Sequence, residues 1–119
     1  MEIKEQEIID VVVLELGGRL DTINYGVLEN KLSSLFEQQK TKVVLNCEGL
    51  DYVSSSGLRV LLMYLKKANA VQGKLLISHL PQNIKEIFDI SGFTDIFEIH
   101  ETNDDALKSI WSYGPFYTF

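Results

Sequence analysis

Cysteine occurs once in this 119-residue chain, proline and histidine twice each, and tryptophan once. A lone thiol, Cys47, closes no internal disulfide, which points to a reducing compartment. It sits inside an apolar run, where a free cysteine behaves as a small inert hydrophobe. The two histidines, His79 and His100, lie far apart and form no metal-spaced cluster with Cys47. No apolar run approaches the ~20 residues needed to cross a bilayer. The start, Met1-Glu2-Ile3-Lys4-Glu5, lacks a basic region followed by an apolar stretch, so no signal peptide is expected there. Together these absences predict a cytoplasmic protein without direct membrane insertion. Positive charge is also scarce: 11 Lys and Arg stand against 17 Asp and Glu, a net charge of −6. No basic stripe is present, which argues against general affinity for nucleic acid or anionic membrane. Protein partners with basic patches remain open.

The length fits one domain with a real core. Its 45% apolar and 24% charged content are ordinary for a globular protein. Residues 1–7 read as an edge strand. Ile8 to Leu16, with the β-branched run Val11-Val12-Val13, reads as a central strand ended by Gly17-Gly18. Leu28, Leu32, Leu35 and Phe36 form one stripe of a helix over Asn24–Gln38, with Thr22 or Asn24 as cap. Lys42–Cys47 is the next strand. Leu58, Leu61, Leu62, Leu65 and Ala68 recur at helical spacing up to Ala70, and Gly73 marks the exit. Lys74–Ser78 is a short strand. Pro81 opens a helix carrying Ile84, Ile87 and Phe88, and Gly92 follows it. Ile96 to Ile99 reads as a last strand. Asn103–Trp111 reads as a final helix, capped by Thr102 or Asn103. Alternating strands and helices predict a largely parallel α/β sheet with an antiparallel pair at the N-terminus. The tail 112–119 is rich in aromatics: Tyr113, Phe116, Tyr117 and Phe119. A loose end or an edge-covering segment would both fit it.

Val53-Ser54-Ser55-Ser56-Gly57-Leu58-Arg59 places three hydroxyls at a strand-to-helix junction. Backbone N–H groups lack partners there, so a hydroxyl can cap the helix and a phosphate can be held. A nucleophile elbow would need glycine before the serine, and Val53 stands there. No Gly-Lys-Ser/Thr phosphate loop occurs, and Gly17-Gly18 lacks the third glycine of a dinucleotide fingerprint. No catalytic residue, cofactor or metal is therefore expected. Ligands and partners of open α/β sheets gather outside the carboxyl ends of parallel strands. If the first two central strands are parallel neighbours, Asp21 and Ser55 share one such surface. A phosphate there adds about −1.5 to −2 charge and would repel an acidic or close-packed partner. Arg59, Met63, Lys66 and Ala70 fall on the helix face opposite the leucines. Arg59 and Met63 are residue types enriched in interfaces.

Several segments, in their order and spacing, resemble the STAS domain of the stand-alone bacterial anti-sigma factor antagonist type. They are Gly18-Arg19-Leu20-Asp21, Val43-Val44-Leu45-Asn46, Leu50 to Leu58, Leu75-Leu76-Ile77 and Ile87 to Phe93. The resemblance covers residues 5–111, so a STAS-like domain is expected over 1–111, followed by the tail 112–119. It implies a four- to five-stranded mixed sheet with about four helices mainly on one face. It also implies a partner, an anti-sigma factor that is a serine kinase. The antagonist captures that partner and frees a sigma factor, and phosphorylation of one serine breaks the complex. A serine phosphatase restores it. The family's junction pattern is Asp-Ser-(Ser/Thr/Ala)-Gly-Leu with its first serine phosphorylated. Laid on Gly57-Leu58, it assigns the phosphate to Ser55, with Ser54 and Ser56 as further acceptors. It also implies that Asp21 belongs to the partner-facing surface, and with the interface-type residues Arg59 and Met63 the expected contacts are Asp21, Ser54, Ser56, Gly57, Arg59 and Met63. The family's Asp falls on Ser54, a departure that bears on kinase recognition. Two other readings remain: a STAS-type regulatory subunit docking on a membrane transporter ATPase, and an enzyme or nucleotide-binding module.

Overall fold

The computed structural model describes residues 1–112, so the aromatic tail from Tyr113 onward lies outside the described residues. The elements in chain order are β1 (Glu2–Ile8), β2 (Val11–Leu20), α1 (Tyr25–Glu37), β3 (Lys42–Val53) and α2 (Ser55–Ala70). They continue with β4 (Lys74–Ser78), α3 (Gln82–Ser91), a 3₁₀ turn (Phe93–Asp95), β5 (Ile99–His100) and α4 (Asn103–Ser112). The strands form one five-stranded sheet in the order β1-β2-β3-β4-β5. β1 pairs antiparallel with β2, and every later pair is parallel. The expected mixed α/β sheet is thus observed.

The period of two in a strand sends alternate residues to opposite faces, so a strand apolar throughout can hold helices on both. On one face Val12, Leu14, Leu16, Val43, Leu45, Cys47, Leu75 and Ile77 meet α1, α2 and α3. Leu28, Leu32 and Leu35 supply the α1 contacts, and Ile84 and Phe88 those of α3. On the other face Val11, Val13, Val44 and Leu76 are covered by Ala106, Leu107 and Ile110 of α4. Cys47 is buried, and burial pushes its thiol up to about 12. A thiol so raised carries almost no thiolate and is inert, as its setting in the sequence suggested.

Four sequence expectations need correction. β2 does not stop at Gly17-Gly18: it runs through both glycines to Leu20. Gly18 takes φ +88°, a left-handed conformation that costs glycine little. β3 does not stop at Cys47 either, but continues to Val53. Its pairing with β2 shifts register twice, between Glu15 and Gly17 and between Gly18 and Arg19. Extra β3 residues are absorbed there as bulges, which bend and twist a strand at a sheet rim. In α2 the buried face is Gly57, Val60, Leu61, Tyr64 and Ala68, rotated from the leucine stripe. Tyr64 claims the inner position through an edge-to-face contact with Phe36 of α1, centroids 5.3 Å apart. Met63 consequently packs partly against the core rather than standing on a fully solvated face. Lastly, β5 is only Ile99–His100, because Phe93 and Phe97 fold onto Phe88 as an aromatic cluster. That cluster draws residues 93–97 out of the extended state and leaves Ile96 half exposed.

Asp10, in the turn between β1 and β2, joins three elements at the amino ends of the parallel strands. Its Oδ2 accepts from Lys42 Nζ of β3 at 2.8 Å, and its Oδ1 accepts from Trp111 Nε1 of α4 at 3.0 Å. The Lys42 and Trp111 hydrogen bonds hold its carboxyl below the usual range for aspartate. A depressed carboxyl stabilises the fold above its unfolded pKa and ceases to do so as pH falls through the folded value. Urea unfolding at pH 7 should therefore show Asp10→Asn destabilised by about 0.5–1 kcal/mol, the scale of a solvent-screened ion pair. The difference between the two proteins should shrink as pH drops below 3.8, the ordinary value.

Candidate functional site

The parallel pairing of β2 and β3 decides what stands at the carboxyl end of the sheet. Leu20, the last residue of β2, is in register with Val53, the last of β3. One residue on, the Ser54 N–H donates to the Leu20 carbonyl at 2.9 Å. The β2–α1 turn and the start of α2 are therefore neighbours, and Asp21 and Ser55 share one surface as expected.

Three consecutive serines have three different settings. Ser54 is the N-cap of α2, with extended backbone, and its Oγ accepts from the Gly57 N–H at 3.3 Å. Its hydroxyl is thereby committed to the helix. Ser55, the first helical residue, is exposed. Ser56 is half-buried. Gly57 is buried against the end of β2: a Cβ there would lie 2.6 Å from Leu20 Cγ and 2.8 Å from the Leu20 carbonyl oxygen. Only glycine lets the first turn of α2 approach β2 this closely. Its place in the site is thus that of a spacer beneath the surface.

Asp21 is also a positioning residue. Its Oδ1 accepts from the N–H groups of Ile23 (3.0 Å) and Asn24 (3.2 Å), and Asn24 Oδ1 accepts from the Asp21 N–H at 2.9 Å. Asn24 occupies the cap position of α1, but its side chain serves this turn instead of a helical N–H. Asp21 Oδ2 pairs with Arg19 Nε at 3.2 Å. Partial burial opposes ionisation, yet the Arg19 guanidinium and the two N–H groups outweigh it and hold the carboxyl below the usual aspartate range. Arg19 in turn lies over the Tyr52 ring, 4.4 Å from its centroid. Three groups that looked separate in the sequence thus brace one another across the ends of β2 and β3.

That brace displays Ile23, which is 94% exposed. Tyr52, next to last in β3, and Tyr25, first in α1, are also partly exposed. The sequence reading missed Ile23. An isoleucine inside a turn, where polar residues and glycine prevail, was the available signal. Arg59 is exposed on α2 one turn beyond Ser55, while Met63 is half-buried.

The two histidines do meet, at the neighbouring strand ends. His79 and His100 line a crevice of about 280 Å³ with Leu80, Lys85, Ile99 and Glu101. His79 Nε2 accepts from the Asn103 N–H at 3.3 Å, and His100 Nε2 lies 2.6 Å from Glu98. Among the described residues no group of three or more His, Cys, Asp or Glu could hold a metal. Nor is any helix among them long and apolar enough to cross a membrane.

Helix capping and surface exposure separate two neighbouring hydroxyls experimentally. Ser54→Ala should lower stability by about 1 kcal/mol, the usual cost of losing a cap. Ser55→Ala should stay within about 0.5 kcal/mol of the parent. Chemical denaturation of the two variants measures the difference.

Comparison with known proteins bears on the fold and the family. The STAS domain family matches residues 2–106. BtrV of Bordetella bronchiseptica, named as a candidate anti-sigma factor antagonist, is 34% identical over 106 residues, covering 89% of this chain and 91% of that protein. Among solved structures, a Thermotoga maritima protein described in the same way superposes with TM-score 0.86 at 16% identity, over 91% of this chain and 93% of that one. The Bacillus cell fate determinant SpoIIAA in its phosphorylated form superposes with TM-score 0.72 at 22% identity, over 92% and 99%. By sequence over nearly its whole described length, and by fold, the chain belongs to the STAS domain family.

Proposed function

We propose that this protein is an anti-sigma factor antagonist whose binding is switched by phosphorylation of Ser55. Unmodified, it captures an anti-sigma factor that is also a serine kinase, and a sigma factor is released. The kinase transfers a phosphoryl group from ATP to the Ser55 hydroxyl, the complex parts, and a serine phosphatase hydrolyses the phosphate to reset the cycle. The family is regulatory rather than catalytic, and this reading needs no metal or cofactor on the chain itself. It places the protein in the cytoplasm, with residues 1–111 as the working unit.

The observation that carries the reading is the contrast among the serines. Ser55 alone is exposed, while Ser54 is spent on the cap and Ser56 is half-buried. Ser54 stands where the family has aspartate, and a serine serves a helix N-cap about as well as an aspartate does. The departure therefore keeps the junction's shape and removes one negative charge.

The binding surface divides into contacts and supports. Ile23, Tyr52, Ser55 and Arg59 face outward, and Met63 and Ser56 flank them. Asp21, Ser54 and Gly57 hold the backbone beneath. Exposed apolar and aromatic anchors of this kind dominate interface energetics. Asp21 is already matched by Arg19, so it adds little repulsion toward a phosphate. Ejection then follows from burying a dianion in an interface and from like charge on the partner.

Incubation with the cognate kinase and ATP should yield a single phosphate on Ser55 by peptide mass spectrometry. Phosphate on Ser54 instead, or none on Ser54–Ser56, would overturn the switch. In calorimetry, Ile23→Ala should weaken capture of the anti-sigma factor by about tenfold or more, as an interface anchor does. Unchanged affinity would remove Ile23 from the interface.

A further inference from the structure

Arg59 follows Ser55 by four residues within α2. Side chains four apart on a helix stand over one another, with Cβ atoms about 5–6 Å apart. Arg59 is exposed and, among the described residues, its guanidinium forms no hydrogen bond, ion pair or ring contact. The other arginine of this surface is already engaged: Arg19 lies over Tyr52 and pairs with Asp21. Further along α2, Lys67 sits over the Tyr64 ring. At 1.5 Å rise per residue, Lys66 and Lys67 start about 16 Å beyond Ser55. One guanidinium is therefore both uncommitted and within reach of the Ser55 hydroxyl. No carboxylate competes for it at the cap, because residue 54 is serine.

We infer that Arg59 is a shared cation: it meets an acidic side chain of the anti-sigma factor while Ser55 is bare, and turns to the phosphate once Ser55 carries one. Phosphorylation then acts twice on the complex. It adds negative charge to the interface, and it withdraws the arginine that the partner had engaged. Guanidinium suits both roles, since its planar fork bonds carboxylate and phosphate alike. The inference rests on the proposed switch for its regulatory meaning, but the contact itself exists wherever a phosphate sits on residue 55.

Phosphoserine can be installed at position 55 during synthesis, without any kinase. Its ³¹P resonance can then be titrated between pH 4 and pH 8 in the Arg59, Arg59→Lys and Arg59→Gln proteins. The ratio of dianion to monoanion near pH 6 should fall about twofold in Arg59→Gln, as expected for loss of an exposed pair at this spacing. Arg59→Lys should retain most of the parent ratio, and 1 M salt should abolish the differences. Identical titrations in Arg59 and Arg59→Gln proteins would overturn the capture of the phosphate. With purified anti-sigma factor, the installed phosphate should cost Arg59→Gln a smaller fold-loss of affinity than it costs the parent. Equal losses would overturn the withdrawal of Arg59 from the partner. Failure of a kinase to modify Ser55 would count against the proposed switch alone, and would leave the titration readable.

Discussion

The parallel pairing of β2 with β3, carried through two bulges to the last residue of each strand, is the constraint on which the site depends. It ends in the bond from the Ser54 N–H to the Leu20 carbonyl. That bond fixes where α2 begins. Gly57 then allows the first turn to settle on Leu20, and Ser54 turns its hydroxyl inward as the cap. Ser55 is left as the first side chain with nothing to hold. On the other side of the same bond, Asp21 closes the β2–α1 turn and displays Ile23. The surface is thus a consequence of how two buried strands end.

The energetics of this surface are local and modest. Its ion pair is exposed, its hydrogen bonds lie within a turn, and its cation–π contact is at the rim. Each is small beside the burial of the core, because solvent screens it. The core beneath, on both faces of the sheet, supplies the stability. Such a division suits a switch. A phosphate at Ser55 alters charge at the rim without touching a residue on which folding depends, so the two forms can share one fold and differ in what they bind.

Much of this could be read in the sequence, for identifiable reasons. The β-branched run Val11-Val12-Val13 and the stripe Leu28, Leu32 and Leu35 announced a doubly covered sheet and a packed helix. The order of short motifs pointed to Ser55 and Asp21 together. What escaped the sequence was decided by long-range contacts. Gly17-Gly18 looked like a stop because glycine weakens strands, but pairing with β3, which bulges opposite them, carried β2 through to Leu20. Tyr64 displaced leucines from the inner face because Phe36 was waiting across the helix interface. Residues 96–99 read as a strand until the cluster of Phe88, Phe93 and Phe97 drew most of them into a turn. Asp21 was legible as a neighbour of Ser55 at the strand ends but not as the brace for Ile23, since that role depends on hydrogen bonds within the turn and on Arg19 and Tyr52.

The central claim is that an anti-sigma factor docks on the ends of β2 and β3 around Ser55. Amide hydrogen exchange of the unmodified protein, with and without its purified partner, tests it directly. Protection should appear over residues 19–25 and 52–63, with the β1 edge and α4 unchanged. Phosphate at Ser55 should erase that protection. Protection confined to β1, α4 or the crevice between His79 and His100 would contradict the account.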